Sequence, residues 1–432
     1  MSTPTKPTAE PTRSEIATPA AEVGIMPMDI TIRGKLSVMM FLQYFTWGAW
    51  YVTMGTYLEK QLGATGGQIG WVYATSPIGA IIAPFFVGMV ADRFFATQRI
   101  LAALHLVGAG LLLAISFAAD YQAFLPLMAI YFLCYMPTLA LTNSLSFSHM
   151  TNPEQQFPGV RVLGTIGWIA AGLLIGFLQM EQQNTPLQIG AAASLLLGLF
   201  CLTLPHTPPT NSGGRAKVRD ILGLDALGMM KQWSFAVFVI GSFLICIPLQ
   251  FYYGATNLFL NEIGVTNAAG KMTIGQMSEI FFMLVMPFFF VRLGVKYMLL
   301  VGMIAWAARY VLFAFGNTGS AIWMLYLGIA LHGICYDFFF VTGYIYVDKK
   351  APASIRASAQ GFITLVTWGV GGFIGSLAWG WTADYYKTAP ESGLPHNWNA
   401  FWLTPAIAAA VVAALFALLF RDRVDSSEGA KV

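Results

Sequence analysis

One carboxylate lies in the middle of a long apolar and aromatic stretch of the chain. Asp337 is the only Asp, Glu, Lys or Arg in LHGICYDFFFVTGYIYV, residues 331–347. A carboxylate that stays charged and unpaired in such surroundings costs several kcal/mol, so it needs either a partner or a proton. An acid that takes up and releases a proton inside an apolar segment is typical of proton-coupled transport.

Other polar side chains fall on single helical faces of three further apolar segments. They are Arg161, Thr165 and Trp168 in one segment, Gln250, Tyr253 and Asn257 in a second, and Gln276 and Glu279 in a third. Together with Tyr336 and Asp337, they predict a cavity lined by a cation, two acids, amides and aromatic rings. Taken singly, Arg161 also suits an interfacial anchor, and Trp168 or Tyr253 a belt aromatic.

The motifs of common enzymes are missing from the sequence. It contains no HExxH or GxSxG motif and no Cys or His cluster at metal-ligand spacing, so we predict no enzyme activity, no metal and no cofactor. The segment GVTNAAGKMT, residues 264–273, departs from a phosphate-binding loop in its glycine spacing and in the Met after its Lys. We interpret His105 and His332 as hydrogen-bonded core residues, and Arg309 as the structural partner of an acid.

The composition indicates that the elements positioning these residues lie in a membrane. Of the 432 residues, 57% are hydrophobic and 10% are charged, against about 25% charged in ordinary soluble domains. Apolar segments long enough to cross a hydrocarbon core of roughly 30 Å recur along the chain. They cover residues 36–58, 68–91, 98–119, 123–146, 162–180, 187–205, 234–260, 273–292, 296–316, 321–347, 356–384 and 399–420. We therefore predict an all-α membrane protein with twelve transmembrane helices.

The basic residues predict how the chain is oriented. Apart from Arg161 at the mouth of a helix and Arg309 inside a span, Lys and Arg lie in the two tails and in alternate loops, whereas the opposite loops hold only Lys60, Lys271 and Lys387. By the positive-inside rule both termini are cytoplasmic, which agrees with an even number of spans.

An internal repeat predicts two related halves. APFFVGMVADRFFATQR, from residue 83, aligns with MPFFFVRLGVKYM, from residue 286, at an offset of 203 residues. Doubled halves are typical of secondary transporters, which bind their substrate at the midplane between them. The predicted parts are a disordered cytoplasmic tail (1–30), an N-terminal six-helix half (31–205), a cytoplasmic linker (206–233), a C-terminal six-helix half (234–423) and a second disordered tail (424–432).

Several motifs resemble those of one group of membrane transporters. GMVADR, with Gly88, Asp92 and Arg93, resembles the loop signature of the major facilitator superfamily, although Phe95 stands where that signature has its next Gly. An ordinary basic loop is the alternative for this segment. Over most of its length the chain resembles the bacterial nucleoside:proton symporters of that superfamily. The motifs that carry the resemblance include FLQYFTWGAWYVTMGTYL, RVLGTIGW, QMSEIFFMLVMPFFF, YDFFFVTG and IRASAQG.

The resemblance implies the major facilitator fold and a role for each candidate residue. Gly88, Asp92 and Arg93 form a cytoplasmic gate in that family. The substrate-binding residues it implies are Arg161, Thr165, Trp168, Gln250, Tyr253, Gln276, Glu279, Tyr336 and Asp337, of which Asp337 and Glu279 also couple the proton. The chain departs from the family at positions that set base selectivity, with Phe replaced by Trp168 and Tyr336, Asn by Tyr253 and Phe340, and Tyr by His332.

The resemblance further implies a monomeric symporter that imports nucleosides with protons across the bacterial inner membrane. Its partners are then a nucleoside, a proton and the lipid bilayer, and not nucleic acid. The flat base of a nucleoside suits aromatic faces, and its vicinal hydroxyls suit carboxylate and amide acceptors. The alternatives are a proton-coupled carrier of sugars or other small metabolites, and a sensor that binds its ligand without moving it.

Overall fold

The computed structural model describes residues 28–86, 95–209, 223–389 and 393–421, and helices dominate these ranges. The helices are α1 (Ile30–Gly48), α2 (Met54–Leu62), α3 (Gly66–Phe86), α4 (Thr97–Ser116), α5 (Tyr121–Ser148), α6 (Pro153–Phe177), α7 (Thr185–Cys201), α8 (Trp233–Glu262), α9 (Ala268–Phe315), α10 (Ile322–Lys350), α11 (Ala353–Tyr385) and α12 (Trp398–Leu419). A short 3₁₀ helix, Leu224–Lys231, precedes α8. The described residues contain no β-strand, only an isolated bridge between Lys387 and His396. The all-helical prediction is therefore confirmed.

Eight of these helices are long and apolar enough to cross a membrane, namely α4, α5, α6 and α8 to α12. Their apolar side chains do not all point inward, since Leu284 is 76% and Val291 85% exposed. Large apolar side chains on the outer surface of long apolar helices are typical of a surface that faces lipid. The chain is thus a multi-pass membrane protein.

Helix α9 is bent at one glycine. Its 48 residues contain a single residue with non-helical backbone angles, Gly294, at φ 66° and ψ 177°. This combination is essentially restricted to glycine, because a Cβ atom clashes with the neighbouring backbone. The bend falls between the predicted spans 273–292 and 296–316. The two helical pieces together are about 72 Å long, which is more than twice the thickness of a hydrocarbon core.

Helices α10 and α11 each contain a π-helical turn. In α10 the turn is Asp337–Val341, and in α11 it is Leu365–Gly371. A π turn inserts an extra residue into the helix and so rotates the side chains that follow, which is why such turns are frequent at functional sites. Asp337 is the first residue of the turn in α10.

Glycines bring helices of the N-terminal segment (28–209) close to those of the C-terminal segment (223–421). A Cβ atom on Gly66 of α3 would overlap the carbonyl oxygen of Gly380 in α11. A Cβ atom on Gly176 of α6 would overlap the backbone nitrogen of Gly270 in α9. The two segments therefore pack backbone against backbone along both helix pairs.

Carboxylates of each segment cap helix N-termini of the other. Asp384 of α11 accepts hydrogen bonds from the backbone N–H groups of Gly66 and Gly67 in α3, both at 2.6 Å. Glu181, which follows α6, accepts one from the backbone N–H of Ala269 in α9 at 2.9 Å. The first N–H groups of a helix have no intrahelical partner, and the helix dipole favours an anion there. The two acids lie 203 residues apart, as do Gly66 and Ala269, which is the offset of the sequence repeat.

Further polar bonds join the segments beside these caps. Glu181 also accepts hydrogen bonds from the side-chain amides of Asn257 and Asn261, each at 2.8 Å. Lys60 donates to Glu262 at 2.6 Å. We call the part of the molecule that holds the two caps and these bonds the capped face.

Candidate functional site

A cavity of about 300 Å³ lies between the two segments. Along α8, Gln250 of the cavity lies seven residues from Asn257 of the capped face, and along α9, Gln276 lies seven residues from Ala269. At 1.5 Å per residue, the cavity is about 10 Å from the capped face. Its lining is Tyr44, Trp47, Tyr51, Ser76, Pro77, Ala80, Met136, Leu139, Arg161, Thr165, Trp168, Gln250, Tyr253, Gln276, Glu279, His332, Tyr336, Thr364 and Trp368.

The structure brings most of the predicted binding residues together here. Those that line the cavity are Arg161, Thr165, Trp168, Gln250, Tyr253, Gln276, Glu279 and Tyr336. Asp337 is fully buried and is not part of the lining. The predicted gate residues Gly88, Asp92 and Arg93 lie outside the described residues, as do most of the two predicted tails.

The wall from the N-terminal segment combines a cation with aromatic rings. The guanidinium carbon of Arg161 lies 4.2 Å from the centroid of the Tyr44 ring, within cation–π range. Trp168 meets Trp47 edge to face, with centroids 5.5 Å apart. Within the described residues Arg161 forms no ion pair, so its N–H donors remain available to a ligand in the cavity.

The wall from the C-terminal segment is also aromatic. The Trp368 ring centroid lies 6.3 Å from that of Tyr253 and 6.5 Å from that of Tyr336. These three rings come from three different helices, α11, α8 and α10. Rings on both walls allow a flat ligand to be held between aromatic surfaces.

Acceptors for polar ligand groups come from the C-terminal segment. Glu279 is partly buried, and its Oε2 lies 3.8 Å from Nε2 of His332. In the described part of the chain its carboxylate accepts no hydrogen bond, whereas Gln250 and Gln276 add amide groups to the same lining. The Arg161 guanidinium on the opposite wall attracts the Glu279 carboxylate. The cavity can therefore accept hydrogen bonds from ligand hydroxyls.

Asp337 lies behind this lining, in surroundings without polar partners. Neither of its carboxylate oxygens has a hydrogen-bond partner within the described residues. Its neighbours Phe338, Phe339 and Phe340 are buried as well. A buried carboxylate without donors is strongly disfavoured in its charged form, and protonation removes that cost.

Arg309 and His105 are held by local contacts. Arg309 is fully buried; its Nε donates to the carbonyl oxygen of Gly328 at 3.0 Å, and its guanidinium lies 4.1 Å from the Tyr252 ring centroid. No acid pairs with Arg309 among the described residues, where a carbonyl and a ring contact it instead, so its predicted acid partner is not confirmed. His105 bonds to two side chains of its own segment, as predicted for a core residue.

One cluster outside the cavity has side chains that often bind metals. Glu59, Glu262 and His396 place their ligand atoms within 4.8 Å of one another. The Glu262 carboxylate is already bonded by Lys60 at 2.6 Å and by the indole N–H of Trp398 at 3.0 Å. A cation would have to displace the Lys60 ammonium, so the cluster is better suited to join the two segments than to bind a metal.

Sequence reasoning missed several aromatic residues of the lining. Tyr44, Trp47 and Tyr51 follow the spacing i, i+3 and i+7, the same signal that selected Arg161 and Trp168. Trp368 and Thr364 also line the cavity at the spacing i and i+4, but one aromatic residue and one threonine in an apolar segment are not distinctive in sequence.

Comparisons with known proteins bear on this cavity. A family model described as nucleoside H+ symporter matches residues 28–425. The putative nucleoside transporter YegT of Escherichia coli K12 is 45% identical over 92% of this chain and 96% of its own length. The xanthosine permease of the same organism is 34% identical, over 92% and 97%. The crystal structure of the nucleoside transporter NupG superposes with a TM-score of 0.83 at 33% identity, over 91% of this chain and all of that one.

Proposed function

Because the chain belongs to the nucleoside H+ symporter family, which comprises transporters and not enzymes, we propose that it imports nucleosides together with protons by alternating access. The observation that carries the proposal is the central cavity, where aromatic faces and unpaired polar groups of both segments converge. A ligand held by both segments can move across the membrane when the segments rock about it.

The chemistry of a nucleoside fits the two kinds of lining. Trp168, Tyr253 and Tyr336 offer ring faces for the base. Glu279, Gln276, Gln250 and Thr165 offer acceptors for the ribose hydroxyls, whereas the Arg161 guanidinium donates to a hydroxyl or carbonyl oxygen of the ligand. A neutral ligand is favoured, because the cavity presents one cation opposite one carboxylate.

Proton coupling is assigned to Asp337, with Glu279 as a helper or second site. Asp337 has no hydrogen-bond donor among the described residues, so loss of its proton leaves an uncompensated charge in the interior. In the proposed cycle, protonation neutralises Asp337 and lets the segments close around the loaded cavity. Release of the proton to the cytoplasm then favours return of the empty carrier.

The proposed topology is that of the major facilitator fold with twelve spans. The eight long apolar helices supply nine spans when α9 crosses twice at its bend. The joined pair α1 and α2, with α3 and α7, supply the remaining three. The two halves are then residues 31–205 and 234–423, linked through 206–233, with both termini in the cytoplasm of a bacterium and the capped face outside.

The gate and the oligomeric state complete the proposal. Gly88 allows close helix approach at the cytoplasmic end, where Asp92 and Arg93 pair with the other half when the inner side closes. The chain is proposed to function as a monomer, with residues of its own two segments on both walls of the cavity.

Uptake of a radiolabelled nucleoside into proteoliposomes tests the function. We expect an inward proton gradient to drive accumulation above the external concentration, and its collapse with a protonophore to end it. Accumulation of a sugar but not of nucleosides would favour the metabolite carrier. Binding to the purified protein without uptake, in liposomes that a known symporter can energise, would favour the sensor.

A further inference from the structure

One buried threonine lies a single π turn beyond Asp337 in α10. The backbone N–H of Thr342 donates to the carbonyl oxygen of Asp337, five residues back. In an α-helix, side chains five residues apart point about 140° away from each other. The wider π turn reduces this angle, so the Thr342 side chain lies closer to the face of Asp337, about 5 Å along the helix axis.

The hydroxyl of Thr342 differs from that of the threonine in the other π turn. Thr367 of α11 is 2% exposed and donates to the carbonyl oxygen of Ile363 at 2.7 Å, as threonines inside helices commonly do. Thr342 is 0% exposed, yet its Oγ1 has no hydrogen-bond partner among the described residues. A buried hydroxyl without a partner is costly, so Thr342 needs a partner that these residues do not supply.

The oxygens of Asp337 and Thr342 together suit one bound water molecule. Both carboxylate oxygens and the hydroxyl are buried without partners in the described part of the chain, and a buried water typically makes about three hydrogen bonds. Groups one helical turn apart are too distant to bond each other directly, but one water can bridge them. The water donates to the charged carboxylate while it accepts from the hydroxyl, and both bonds reverse when Asp337 carries the proton.

The helices packed against this π turn supply no other donor to Asp337. Helix α9 packs against the turn, and its Glu279 is the titratable side chain whose charge acts on Asp337. Helix α11 brings the uncharged ring of Trp368, which stacks on Phe340 with centroids 5.3 Å apart. Among the described residues no cation bonds the Asp337 carboxylate, so a water held by Thr342 is the group suited to stabilise its charged form.

We propose that Thr342 is a positioning residue for proton coupling, which holds a buried water against the Asp337 carboxylate and so favours release of its proton. This inference rests on the proposed function and adds a residue to its coupling step. In that step the O–H bond of Asp337 breaks, the bound water accepts the proton, and a proton passes on to solvent water. In the proposed topology Thr342 lies on the cytoplasmic side of Asp337, where the proton is released.

The test measures the pH dependence of gradient-driven nucleoside uptake into proteoliposomes. Thr342→Val removes the hydroxyl at almost the same volume. Loss of a hydrogen bond to a charged group should move the midpoint of the pH dependence about 1–2 pH units higher, because the proton is then held to higher pH. Counterflow exchange should be retained, since Asp337 can keep its proton throughout.

Matched variants distinguish a role in coupling from a role in packing. Thr342→Ser keeps the hydroxyl and should restore the wild-type midpoint. Thr367→Val, in the other π turn, should leave the midpoint unchanged. Added to Asp337→Asn, Thr342→Val should change counterflow no further, because Thr342 acts through the Asp337 carboxylate.

The outcomes separate this inference from the proposed function. Wild-type midpoints in both Thr342→Val and Thr342→Ala, with proton-driven uptake by the wild type, would overturn the inference alone. An equal shift in Thr367→Val, or loss of counterflow in both Thr342 variants, would also overturn it, since the role of Thr342 would then be structural. A wild-type protein that accumulates no nucleoside under a proton gradient would overturn both.

Discussion

Trp168 meets its neighbouring rings, Trp47 and Tyr51, at steep angles of 78° and 65° rather than stacking on them. We predict that its face stacks on the ligand base. Loss of a stacked base commonly costs ~1–3 kcal/mol, or roughly 5- to 150-fold in affinity. Trp168→Ala should weaken nucleoside binding by this factor in a titration of purified protein, and Trp168→Phe should have a mild effect. Trp323→Ala, at a tryptophan that is 53% exposed, serves as control. Unchanged affinity in Trp168→Ala would return Trp168 to a packing role.

Asp337 differs from Trp168 in that it does not line the cavity and has no hydrogen-bond partner among the described residues, so its substitution tests coupling rather than binding. Asp337→Asn mimics the protonated form in shape and charge. It should abolish gradient-driven accumulation while retaining counterflow exchange, and transport should lose its dependence on pH. The measurement is uptake and counterflow in proteoliposomes at several pH values, with Glu279→Gln alongside. Accumulation against a gradient with an unaltered pH profile would transfer the coupling role to Glu279.

At the scale of helices, spacing predicts which side chains share a face but not what that face meets. Arg161 and Trp168 were selected by spacing, and both line the cavity. Asn257 was selected in the same way with Gln250, yet it bonds Glu181 at the capped face. Trp368 was missed because an aromatic residue in an apolar helix looks alike in sequence whether it faces lipid, core or cavity. Only the packing of helices distant in sequence makes that distinction.

The bend in α9 leads to a prediction about its glycine. Gly294 has a backbone conformation that other residues adopt at a cost of about 1–3 kcal/mol, and outside the local backbone no atom of the described residues lies within 4 Å of a Cβ placed there. Gly294→Ala should therefore lower the melting temperature of the detergent-solubilised protein through backbone strain alone. The control is Gly110→Ala in α4, where the added Cβ also meets no atom and helix propensity favours alanine. A melting temperature as high as that of Gly110→Ala would show that α9 straightens at no cost.

For the whole molecule, we predict that the capped face sets the balance between the two open states of the proposed cycle. Asp384→Ala removes two hydrogen bonds between the segments, and loss of a helix cap costs ~1 kcal/mol, or about a fivefold change in population. The population of the outward-open state should increase, because the lost hydrogen bonds close the outer side. A cysteine placed at Ser76 in the cavity should then react about fivefold faster with an impermeant thiol reagent added outside cells.

The control for this experiment is a cap within one segment. Asp120 accepts a hydrogen bond from the backbone N–H of Ala123 in its own helix, α5. Asp120→Ala should lower stability without changing the labelling rate at residue 76. If the cysteine at residue 76 reacts no faster in Asp384→Ala than in Asp120→Ala, the capped face does not control opening.

The two carboxylate caps have the relation found in a symmetric dimer, where residue i of one chain meets residue j of its partner and j meets i. Counted within the repeat, Asp384 on Gly66 and Glu181 on Ala269 are the same contact made twice. In a true dimer any substitution changes both contacts at once. Fusion into one chain removes that restriction, and here Glu181 has acquired two asparagine donors, whereas Asp384 is bonded by backbone N–H groups. Each cap can thus be adjusted by mutation independently of the other.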